Sequence, residues 1–91
     1  MTTPEEATVI AQEFLDRSHP EENFMVFFAE DMGPAYVCHF NTMKYLETND
    51  PADAMGPGPG PIGVPKDGSA AWSLRSTPSF AEQVAEKFRA A

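Results

Sequence analysis

Residues 55–68 read MGPGPGPIGVPKDG, with Gly and Pro alternating from Gly56 to Pro61. The run either links two domains or lies as a loop inside one. Cut there, the chain leaves pieces of about 55 and 25 residues, and neither buries enough surface to fold alone without disulfides or metals. A repeat of two is not the three of collagen. The prolines stiffen the segment and keep it out of the interior of a sheet. The run therefore reads as a surface loop, and residues 1–91 as a single domain.

On the N-terminal side of the loop, Thr3-Pro4-Glu5-Glu6 offers a capping hydroxyl, Pro at the first helical position and Glu at the third. Ala7, Ile10, Ala11, Phe14 and Leu15 follow at helical spacing, and Ser18-His19-Pro20 ends the helix. NFMVFFA (23–29) is rich in β-formers, and alternation places Phe24, Val26 and Phe28 on one face. Glu30 to Pro34 supplies turn chemistry, and AYVCHF (35–40) closes a hairpin. Asn49-Asp50-Pro51 reads as a turn capping a short helical segment through Ala54 and Met55.

Beyond the Pro-Gly run, Pro61–Val64 is a short extended piece, Lys66-Asp67-Gly68 a turn and AWSLR (71–75) a last strand. Thr77-Pro78 repeats the cap-then-Pro pattern. It opens a final helix whose buried stripe is Phe80, Ala81, Val84, Ala85 and Phe88. The order predicts an α+β fold: a small antiparallel sheet of about four strands, with an N-terminal and a C-terminal helix packed on it. Phe14, Phe28, Tyr45, Leu46, Trp72, Phe80 and Val84 are expected to form one contiguous core.

Six Lys and Arg against fourteen Asp and Glu give a net charge of −8. Residues 1–53 hold eleven acids and two bases, whereas residues 54–91 hold three acids and four bases. Such a field repels nucleic acid and anionic membrane and favours basic partners. The single cysteine, Cys38, rules out an internal disulfide and suits a reducing compartment. With neither a signal-peptide pattern nor a window long enough to span a bilayer, the expected location is cytoplasmic.

Candidate chemistry is sparse. Cys38 and His39 suggest a nucleophile and base, but neighbours on a strand point to opposite faces. His19 lies in a helix-ending loop. Two His and one Cys at these spacings match no zinc pattern. Asp50-Pro51-Ala52-Asp53 lacks the ligand spacing of a calcium loop. Prolines in the Gly-Pro run remove the N–H donors that a phosphate cradle needs. The expectation is a protein without catalysis, cofactor or metal.

Tyr36 to Ala54, YVCHFNTMKYLETNDPADA, resembles the signature of the immunity protein 35 family, also called YrhB-like. That pattern runs close to W-V-F-x-Y-x-S-x-x-Y-L-E-T-G-D. Tyr36 stands at the Trp, Phe40 at the second aromatic and Thr42 at the Ser. Tyr45-Leu46-Glu47-Thr48 matches outright, as does Asp50. Asn49 replaces Gly, and both residues tolerate left-handed geometry. Gly58–Pro61, Asp67-Gly68 and Leu74 through Val84 follow in register, so the resemblance covers nearly the whole chain. Cys38, His39 and the extra Pro-Gly content depart from it.

The resemblance implies a bacterial antitoxin that neutralises a cognate protein toxin by direct contact. Its partner would present a basic surface, and the chain itself would be a monomer or weak homodimer. Glu30, Asp31, Glu47, Asp50 and Asp53, at exposed connections, are the expected partner contacts. The alternative is a free-standing small chaperone-like or stability protein.

Overall fold

The structure, a computed structural model, describes residues 2–53 and 60–89. The Gly56–Pro59 part of the Pro-Gly run, and Ala54 and Met55, lie outside the described residues.

Helix α1 (Pro4–Ser18) begins as its sequence demands. The Thr3 hydroxyl accepts from the Glu6 N–H, and the Glu6 carboxylate accepts from the Thr3 N–H, a reciprocal cap. Only Ala7, Ala11 and Leu15 are buried, so the apolar stripe is narrower than its spacing suggests. Ile10 faces outward and Phe14 is half-buried. Small residues at 7 and 11 let the helix axis come close to the sheet, where the Cys38 thiol lies 3.7 Å from the Ala7 carbonyl.

Strands β1 (Phe24–Asp31) and β2 (Ala35–Thr42) form the expected hairpin. Gly33 turns it at φ 88°, a conformation few residues other than glycine adopt, and donates its N–H to the Asp31 carboxylate. Strands β3 (Ile62–Pro65) and β4 (Trp72–Ser73) complete an antiparallel sheet in the order β1-β2-β3-β4. The last strand is only two residues long, against the expected five. Between β2 and β3 lie α2 (Met43–Thr48) and a 3₁₀ turn (Pro51–Asp53). Asn49 closes α2 in the left-handed region at φ 56°, the geometry expected where the resembled pattern carries Gly.

Helix α3 (Phe80–Lys87) is capped by Ser79, whose hydroxyl accepts from the Glu82 N–H, and not by Thr77. Its inward face is correspondingly different. Val84 and Gln83 are buried, Phe80 and Phe88 are half-buried, and Ala81 and Ala85 are exposed. Gln83 turns inward because its amide accepts from the Arg75 N–H and donates to the Arg75 and Pro78 carbonyls. That satisfies a polar group which burial would otherwise penalise.

Helices α1 and α3 cover opposite faces of the sheet, so the described residues form two apolar clusters and not one. Against α1 pack Phe24, Tyr36, Cys38, Phe40, Ile62 and Val64. Against α3 pack Ala35, Val37 and Leu74, with Val84 from the helix itself. The expected core residues mostly sit at its margins: Val84 is buried, but Phe14, Tyr45, Leu46, Trp72 and Phe80 are only half-buried.

Phe28 is not in the core at all, being 52% exposed. A bulge is the cause. Val26 pairs with Phe40 and Phe28 with His39, leaving Phe27 as an extra residue. One inserted residue reverses the parity of everything after it. Ala29 takes the α1 side, and Phe28 turns to the other.

Candidate partner-binding surface

The five acidic residues singled out from the sequence fall into two groups at opposite ends of the β1–β2 hairpin. Asp31 pairs with Tyr36 at the turn end, and Phe24 pairs with Thr42 at the α2 end. At the rise of an extended chain these ends lie about 20 Å apart.

At the turn end, both carboxylates already have partners. The Lys66 ammonium donates to Asp31 at 2.7 Å while lying 4.9 Å over the Tyr36 ring. That bond, with the Gly33 N–H, holds the Asp31 carboxyl below its ordinary value. Glu30 Oε1 lies 3.1 Å from His39 Nε2. The imidazole is stacked on Phe28 at 5.8 Å between centroids and meets Phe80 at 6.0 Å.

At the α2 end, Glu47 lines an open groove of about 600 Å³ with Glu21, Glu22, Asn23 and Met43. Asp50 accepts from the Ala52 N–H at 3.0 Å and so shapes the turn. Asp53 ends the 3₁₀ turn, and its side chain lies outside the described residues.

Along β1, between the two acidic groups, runs an exposed apolar column, of which only Phe28 was expected in the core. Phe27 is 57% exposed, Phe28 52% and Met25 46%. Met43 at the start of α2 is also exposed, and its N–H donates to the Asn23 carbonyl just before β1. Phe24 and Val26 face α1, so Met25 lies on the opposite side of the sheet, the side to which the bulge sends Phe28. The signal was present in NFMVFFA, which is apolar at both parities and so needs two covers. Eight residues of α3 supply only part of the second.

The outer edge of β1 is partly sealed. The Gln12 side chain of α1 donates to the Phe24 carbonyl at 2.8 Å and accepts from the Val26 N–H at 3.0 Å. This one amide stands in for a neighbouring strand.

Cys38 and His39 form no dyad. The thiol is fully buried on the α1 side, where desolvation pushes it up to about 11, while His39 faces α3 and Glu30. Among the described residues, no three His, Cys, Asp or Glu side chains converge in a way that could hold a metal ion. Also among them, no helix is long and apolar enough to cross a membrane. A second open groove, of about 520 Å³, is lined by Trp72, Arg75, Gln83, Glu86 and Lys87.

A scan against protein-family models, a search of curated proteins and a search of solved structures each find no match.

Proposed function

We propose that this protein is a binding protein of the immunity type, which neutralises a cognate protein toxin in the cytoplasm by covering it, without catalysis. The observation that carries the reading is the exposed apolar column on β1, Met25, Phe27 and Phe28, set between two acidic ends. A soluble domain that displays large aromatics together on an edge strand has a surface suited to a protein partner. The acidic imbalance of residues 1–53 favours a basic one. The likeness of Tyr36–Asp50 to the immunity protein 35 pattern supplies the partner class, and left-handed Asn49 at the pattern's Gly position supports that likeness.

The test is co-expression with the product of each adjacent reading frame. One such product should arrest growth alone, be relieved by this chain, and co-purify with it. Absence of toxicity from every neighbour, or toxicity this chain does not relieve, would overturn the reading. The same apolar column also favours the chaperone-like alternative. In that case the purified chain would suppress aggregation of unrelated unfolded proteins.

A further inference from the structure

We infer that the partner engages this chain through a basic, amphipathic segment lying across Met25, Phe28 and Phe80 on the α3 side of the sheet, and not by adding a strand to the edge of β1. This deepens the binding reading above and rests on it.

Three observations lead there. First, the apolar side chains are on the face. Phe28 stacks on His39, which in turn meets Phe80, so helix α3 and β1 share a continuous apolar border whose β1 half is open. Second, the edge is a poor template. Gln12 occupies the Phe24 carbonyl and Val26 N–H that an incoming strand would need, and the bulge at Phe27 breaks the regular repeat beyond them.

Third, the surrounding charge selects the occupant. Glu30 is on this face, held at its margin by His39, and Glu21 and Glu22 precede the strand. Residues 1–53 contain only Arg17 and Lys44 as bases against eleven acids. A second copy would bring two such acidic halves together, which like-charge repulsion opposes. A segment with Lys or Arg beside apolar groups meets both the carboxylates and the exposed rings.

The probe is a set of peptides selected by display of a random library on the native protein, so that no toxin is required. Selected peptides should carry net positive charge with aromatic or aliphatic residues, and they should shift the amide resonances of β1 and the start of α3. Phe28→Ser should weaken them about tenfold, as loss of a buried anchor does. Replacing the exposed Glu21 and Glu22 together with Gln should weaken them several-fold, and more at low salt. Gln12→Ala should leave affinity within about twofold, since the face does not need the edge.

Should Phe28→Ser not fold, as judged by Trp72 fluorescence, Met25→Ser gives the same reading from the same face. Neutral or acidic peptides, shifts confined to other surfaces, or tighter binding by Gln12→Ala with new exchange protection along β1 would each overturn the assignment. So would a concentration-dependent dimer abolished by Phe28→Ser. Failure of the co-expression test alongside basic peptides that bind β1 would remove the antitoxin role and leave this docking face standing. A working antitoxin whose selected peptides bind elsewhere would do the reverse.

Discussion

Cys38 and His39 adjoin in the chain and part in space, because the pleat of β2 sends one under α1 and the other toward Glu30. The thiol should therefore be inert in the native state, and its labelling by a thiol reagent should track global unfolding. It should also shape the alkaline stability profile. Its ordinary value is 9.0 and the folded value about 11. Between these the unfolded chain releases the proton and the folded chain keeps it, so stability falls as pH rises through that window. The slope contributed approaches about 1.4 kcal/mol per pH unit. Denaturant unfolding of wild type and Cys38→Ala at about pH 8 and about pH 10.5 isolates it, because only wild type should show this component. A parallel pH dependence in both would mean the thiol is not desolvated. Gly63 offers a second test at this scale. A Cβ there would sit 2.6 Å from the Trp72 ring, which is itself flanked by Phe88 and Lys87. Gly63→Ala should cost about 1–3 kcal/mol through overpacking, and thermal melting with a matching change in Trp72 emission would detect it.

Elements were legible where local chemistry alone sets them. The Thr3–Glu6 cap, the hairpin turn at Gly33 and left-handed Asn49 all stand as their residues dictate, since each is decided within about five residues. Strand β1, however, runs on through Glu30 and Asp31 before that turn. The bulge was not legible, because an extra residue in β1 is defined only by the register of β2 across from it. Without it Phe28 belongs to the core, and with it Phe28 becomes the centre of the candidate surface. The face of α3 was missed for a related reason. Its inward position is held by Gln83, whose three bonds reach back to Arg75 and Pro78, and a polar residue carries no periodic signal. The Ser79-x-x-Glu82 spacing did mark the true helix start, but Thr77-Pro78 competed with it. Gln83→Leu keeps the bulk and removes all three bonds, leaving the Arg75 N–H without its acceptor. At about 0.5–1.5 kcal/mol for each bond, the loss should be about 2–4 kcal/mol. Hydrogen exchange should locate it in α3, with α1 retaining its protection. Equal loosening of both helices would show that the two apolar clusters melt as one and that Gln83 is not a local clamp.

At the scale of the whole molecule, the proposed binding divides its work between charge and apolar surface, and kinetics can separate them. Glu30 and Asp31, two of the acids expected as contacts, are tied to His39 and Lys66, so neutralising them also disturbs the hairpin. Asp50 likewise serves its turn. Glu21, Glu22 and Glu47 are exposed around one open groove, and replacing all three with Gln changes the field with little effect on the fold. Against the toxin identified by co-expression, this triple variant should associate several-fold more slowly at low salt, with its dissociation rate nearly unchanged. The difference should shrink at high salt, where the screening length drops to a few ångströms. Phe28→Ser should behave in the opposite way, leaving association nearly intact and speeding dissociation, because it removes contact area and leaves long-range attraction in place. Stopped-flow mixing of wild type and the two variants at two salt concentrations reads both constants. An association rate indifferent to both salt and the triple substitution would mean that the acidic half of the chain does not steer its partner. The net charge would then serve solubility alone, and recognition would rest on the apolar column of β1.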